Sequence, residues 1–286
     1  RIGDRTGLPV LREALAEPNL VVRELAARLL ARFGDSAALP ALRQALADPD
    51  RAVRMAVVTE LGYPSSDPGT LPALLEALSD SERQVREATA FALRRFGDAT
   101  AIPALLKALA DPESTVRAAT AFALGEIRDP VTIPNLLRAL ADPESIVRQA
   151  SAMAMGEIGD SSALPALLGA LADPESSVRR AVAWALRQFK DPTMISPVLL
   201  AWQRAALNDR SGLEIYDLLA RLAPLAYPTL STEWHGLRHD LLPPTSYTLA
   251  LGLAPRQEWA SLAEAAYRQV LERLPAFAPA VLELAR

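Results

Sequence analysis

Only a few side chains in this sequence stand at spacings that could do chemistry. The two histidines, His235 and His239, lie four residues apart in EWHGLRHD, so a helix would put both imidazoles on one face beside Glu233 or Asp240. That is a two- or three-ligand metal arrangement. Against it, no glutamate follows His235 as a zincin motif requires, and Gly236 weakens the helix. Two solvated or capping histidines are the preferred reading, so no metal and no cofactor is expected. The acids Glu126 and Glu157 recur at a fixed interval, which suits helix-surface charges better than paired general acid-base work. The sequence contains no GxSxG elbow, no GxxxxGK[ST] phosphate loop and no GxGxxG after a strand.

The arginines are more regular. Arg23, Arg54, Arg86, Arg117, Arg148 and Arg179 each follow a valine, at intervals of 31 residues with a single 32. Such a row could grip phosphates. Basic and acidic residues number 30 and 34, interleaved, for a net charge of -4, which argues against a dedicated nucleic-acid binder. With no cysteine, disulfides, thiol catalysis, Cys-ligated zinc and covalent c-type haem are excluded within this sequence. The compartment stays open, cytoplasmic or exported with a leader removed. No signal peptide is visible, and the uncharged stretch from Leu241 to Pro255 is too short, and too interrupted by Pro243 and Pro244, to span a bilayer.

The elements that must position these residues follow from the same period. Half the residues are hydrophobic but only 5% are aromatic, as in closely packed helices. Prolines 9, 40, 72, 103, 134 and 165 march with the valines, and the extra residue falls between Gly62 and Asp67, among turn formers. In DATAIPALLKALADPESTVRAATAFALGEIRD, Ile102, Leu105, Leu106 and Leu109 mark one amphipathic helix. Val116, Ala119, Ala123, Leu124 and Ile127 mark a second. Asp111-Pro112-Glu113 between them reads as an N-cap, a first-turn proline and an acid near the positive helix end. GEIGD at 156–160 and its copies mark helix ends.

One such pair cannot bury its apolar stripe alone, so the copies must stack. The expected fold is all-α, an α-solenoid of helical hairpins with period 31. The pattern ALADPExxVRxxAxxALGxIGDxxAxPxLxxAL resembles HEAT-like repeats of the phycobilin-lyase type over residues 5–207. The resemblance implies that each Asp and Arg join in inter-repeat ladders, a structural role for the six arginines. It also implies that the second helix lines a concave surface whose non-core positions contact partners. A deoxyhypusine-hydroxylase reading fails for want of paired His-Glu motifs. Residues 1–4, RIGD, match the tail that closes a repeat, which implies a preceding helix pair. Residues 208–245 read as a connector, and 246–286 resemble tetratricopeptide helices through Ala263, Tyr267, Pro275, Ala280 and Leu284. Val270 and Gly252 depart from that pattern.

Six residues after each valine stand Arg28, Thr59, Phe91, Phe122, Met153 and Trp184. This position lies about 140° from the centre of the core stripe, yet four successive repeats fill it with a large apolar side chain. Stacking would align these as a ridge, flanked by Glu87, Ala118, Gln149 and Arg180 and by Arg95, Glu126, Glu157 and Gln188. Two readings stay open: a partner-binding groove, or side chains that fill gaps between repeats. The expected function is a non-enzymatic scaffold for a protein or peptide. The alternatives are a self-assembling filament of copies stacked end to end, and an accessory or sensor segment of a larger protein such as a lyase subunit or electron-transfer protein.

Overall fold

A computed structural model describes residues 7–33, 38–62 and 71–189. Among them are twelve α-helices and no strand, in two compact units, Arg1–Leu164 and Pro165–Arg286. The first unit is an α-solenoid of five helical hairpins. The first helix of each is α1 (Leu8–Ala14), α3 (Leu39–Leu46), α5 (Leu71–Ala77), α7 (Ile102–Ala108) and α9 (Ile133–Ala139). The second is α2 (Leu20–Phe33), α4 (Arg51–Leu61), α6 (Arg83–Phe96), α8 (Ser114–Ile127) and α10 (Ser145–Ile158). Each second helix packs on its own first helix and on the second helices of adjoining hairpins. The second unit contributes α11 (Leu164–Ala170), which begins at the boundary, and α12 (Ser176–Leu186). His235 and His239, the connector, the tetratricopeptide-like helices and RIGD lie outside the described residues.

The first helices are short because a proline stands in the first turn and the loop follows within two turns; Pro103 sits there in α7 and Pro134 in α9. Their leucines, Leu42, Leu74, Leu105 and Leu136, are fully buried, as are Leu61, Leu93, Leu124 and Met155 of the second helices. The hydroxyls of Thr89, Thr120 and Ser151, fully buried, donate to the carbonyls of Val85, Val116 and Val147 four residues back, so these three hydroxyls are satisfied.

Alanine and glycine set the spacing of the second helices. A Cβ added to Gly125 in α8 would lie 2.7 Å from the Cα of Ala154 in α10, closer than packing allows. Gly62 meets Ala92 in the same way at 3.0 Å. The first glycine of the GxIGD pattern is therefore a contact between neighbouring helices. The second is the helix end, with φ of 61° at Gly97 and 71° at Gly159.

Asp111 is not the N-cap that its place before Pro112 suggests. Helix α8 starts at Ser114 with Glu113 as its cap residue, and Asp111 forms a turn two residues earlier by accepting the Glu113 N–H at 2.9 Å. Asp48, Asp80, Asp142 and Asp173 do the same at 2.8–2.9 Å. Two loops add a side-chain cap to the helix behind them, Asp50 accepting from Ala52 N–H in α4 and Asn19 accepting from Val21 N–H in α2.

Candidate functional site: the second-helix face

The turn aspartates are held for the arginines. Arg54 donates through Nε to Asp80 at 2.7 Å and through Nη2 at 3.0 Å, a two-pronged contact with the loop of the next repeat. Arg86 grips Asp111 at 2.6 and 3.0 Å, and Arg117 grips Asp142 at 2.8 and 2.9 Å. Arg23 reaches Asp48 through Nε at 2.9 Å. The Nη1 group of each turns back to the loop of its own repeat. Arg117 donates there to the Asp111 and Pro112 carbonyls, Arg148 to those of Asp142 and Pro143, and Arg179 to those of Asp173 and Pro174. Asp48, Asp80, Asp111 and Asp142 thus each offer a carboxylate to the preceding repeat's arginine and a carbonyl to the arginine of their own. In the third copy Ser81 replaces the proline and its carbonyl still accepts from Arg86.

These bonds shift the protonation equilibria. Burial works to raise the Asp111 and Asp142 carboxyls, but hydrogen bonds from Arg86 and Arg117 and from backbone N–H groups outweigh it and hold both below the ordinary carboxylate value. The same side-chain hydrogen bonds raise Arg54, Arg86 and Arg117 further. The Arg54, Arg86 and Arg117 guanidiniums, each occupied by a carboxylate and two carbonyls, have no fork left for a phosphate.

The ridge position lies outside this network. Phe91 is 43% exposed, and Phe122 and Met153 are half-buried, while the alanines beside them, Ala90, Ala92, Ala121, Ala123, Ala152 and Ala154, are buried. Phe91, Phe122 and Met153 stand on α6, α8 and α10, which pack in that order. Trp184, half-buried on α12, occupies the same position in the second unit. Of the flanking residues, Arg95, Glu126, Arg180 and Gln188 are exposed and Glu87, Gln149 and Glu157 half-buried. Ala118 departs from the expected flank: it is 3% exposed and belongs to the core, because alanine is small enough to be covered where glutamate, glutamine or arginine is not.

Charges tie the flank across repeats. Arg94 donates to Glu126 at 3.5 Å and lies 5.5 Å from the centre of the Phe122 ring, a cation–π contact. Arg128 donates to Glu157 at 3.0 Å. Glu126 and Glu157 therefore serve as inter-repeat partners of arginine.

The sequence pattern did not reveal a groove of about 870 Å³ beside Phe91. Val58, Ala88 and Ala92 line it, Thr59 of α4 and Gly62 just past that helix bound it, and Arg94, Arg95 and Glu126 line it too. Its signal in the sequence is an absence: Thr59 is the small residue in a position where the next four repeats carry Phe, Phe, Met and Trp. Among the described residues no group of His, Asp and Glu is placed to hold a metal, and no helix is long and apolar enough to cross a membrane.

Stacked hairpins joined by part-buried Arg–Asp contacts, with a separate exposed face on the second helices, define an α-solenoid repeat protein. The chain belongs to the HEAT-repeat family, whose model matches residues 8–94, 71–156 and 134–211. No curated protein matches its sequence. Among solved structures it is similar to YibA of Escherichia coli, at 22% identity and a TM-score of 0.54, covering 77% of this chain and 82% of that one. It is also similar to a chain of the Kap95:Nup1 complex, at 14% identity and a TM-score of 0.57, covering 99% of this chain and 46% of that one. A structure of the CpcE–CpcF complex of phycocyanin lyase from Nostoc sp. PCC7120 shares 24% identity, covering 75% of this chain and 94% of that one, with a TM-score of 0.45.

Proposed function

We propose that this chain is a non-enzymatic scaffold that binds another protein or a peptide along the face of its second helices. One observation carries the reading. A position flanked by buried alanines keeps Phe91, Phe122 and Met153 exposed or half-buried on three successive helices, although nothing in the core requires a large apolar side chain there. Aromatic and methionine anchors amid mixed polar neighbours suit an interface core with a polar rim. Glu87, Gln149, Arg180, Arg95, Glu126, Glu157 and Gln188 are the rim residues that would select the partner.

A display library of random peptides panned on the full chain tests this. Phe122→Ala with Trp184→Ala should abolish binding of the recovered peptides and leave the urea midpoint nearly unchanged. A loss of about 3 kcal/mol in stability, as for a core aromatic, would mean that these side chains fill the interior.

Self-association through α2 is a second reading. Leu20, Val21, Val22, Leu25 and Leu29 of α2 are exposed, whereas Val53, Val85, Val116 and Val147, equivalent to Val22, are fully buried. A second copy could cover this face. Light scattering over a dilution series checks it: a mass independent of concentration and equal to one chain excludes it.

A further inference from the structure

We infer that the apolar face of α2 joins two copies of this chain about a two-fold axis, with the two α2 helices antiparallel and crossing at Leu25. This rests on the self-association reading and deepens it by naming the arrangement. The face is the one that later repeats turn to the helix before them. Ala154 of α10 lies against Gly125 of α8, and Ala92 of α6 lies against Gly62. Leu29 holds that position in α2, and Leu25, one turn earlier, corresponds to Ala119 and Ala150. With Val22 they form a stripe that is 37–55% exposed, whereas Ala119, Ala150 and Ala154 are buried.

Two features tell against another repeat in the same register as the occupant. The approach of Gly125 to Ala154 needs small residues on both helices, and leucines at 25 and 29 hold a neighbouring helix farther off. The second is Glu17, which stands where Asp48, Asp80, Asp111 and Asp142 accept the preceding repeat's arginine. Glu17 is exposed, and a glutamate is too long for the aspartate turn that presents those carboxylates. Both devices that join repeats are thus replaced on this face, and a large apolar surface stands in their place.

A second copy complements that surface. Val21 and Leu29 stand four residues to either side of Leu25, so an antiparallel copy sets Val21 against Leu29 and Leu25 against Leu25. The same arrangement carries Glu17, ahead of the helix, toward the last turn of the partner's helix, where Arg32 is 61% exposed. Arg32 donates to Glu60 through Nε at 3.2 Å, and a guanidinium with five N–H donors can also take a carboxylate from the second copy. The symmetry makes each contact twice. A parallel pair would instead set Glu17 beside Glu17 and Arg32 beside Arg32.

Sedimentation equilibrium of the full chain over a dilution series tests this. The expected mass is that of two chains, falling to one on dilution. Leu25→Asp with Leu29→Asp should raise the dissociation constant by about a hundredfold or more and leave the helical circular dichroism unchanged, since both sites are exposed. Glu17→Arg should weaken the dimer by about tenfold, and adding Arg32→Glu should restore it. Glu60 keeps Arg28 beside it in that variant. Because the chain has no cysteine, Leu25→Cys supplies a single thiol, which oxidation should couple to its own counterpart. A mass of one chain at every concentration overturns this arrangement and the self-association reading together. So does a dimer indifferent to Leu25→Asp with Leu29→Asp, because its contact then lies off α2. A mass that keeps growing with concentration, a dimer that Leu25→Cys does not cross-link, or a charge exchange that does not restore pairing leaves self-association standing and overturns the antiparallel two-fold.

Discussion

Asp111 shows how one side chain holds two repeats together. Its carboxylate accepts from Arg86 of the preceding repeat and from its own loop at Glu113 N–H, while its carbonyl accepts from Arg117. The Asp111 side chain is 8% exposed, so Asp111→Ala removes the carboxylate from the part-buried Arg86 guanidinium and should cost about 1–3 kcal/mol, read as a shift in the urea midpoint. The carboxyls of Asp111 and Asp142 are held below their unfolded value of about 4, so the stability they contribute is fully present above that pH. It is lost as pH falls through their lower folded values. Unfolding midpoints measured between about pH 7 and pH 2 should therefore fall less steeply in acid for Asp111→Asn than for the parent chain. Equal slopes would show that this carboxyl does not carry the acid sensitivity. The Arg–Asp relation was legible because it repeats, but the acid's detailed role was not. An aspartate two residues before a helix cap and one at the cap have the same sequence signature, and only the backbone separates them.

At the scale of the helix, small residues and backbone handedness decide. Gly125→Val should cost about 1–3 kcal/mol, because the new side chain meets the backbone of α10 and not a movable side chain. Helix α8 ends at Arg128 with φ of 58°, where α6 and α10 end at Gly97 and Gly159. Arg128→Gly relieves that conformation and should raise stability by about 1 kcal/mol, since the Arg128–Glu157 contact it removes is exposed. Both effects are read from thermal or urea unfolding. The helices themselves were legible from their period and from the first-turn prolines. The close approach at Gly125 was not, because a glycine three residues before a helix end looks like part of the stop signal until the neighbouring helix is in place.

Across the whole molecule, stacked repeats make stability a sum of each repeat and its contacts with its neighbours. The proposed face for a partner is then a separate property, carried by positions that the core does not use. The six Val-Arg copies made the fold legible and set the position that Phe91, Phe122 and Met153 share. The groove beside Phe91 was not, since it depends on a side chain that Thr59 lacks and on α4 and α6 meeting around it. The claim that second helices bind a partner is tested most directly by backbone hydrogen exchange of the full chain, with and without saturating library-derived peptide. Slowed exchange in α6, α8 and α10, with α5, α7 and α9 unchanged, is the predicted result. Slowing confined to α5, α7 and α9 would place the interface on the opposite face and contradict the account.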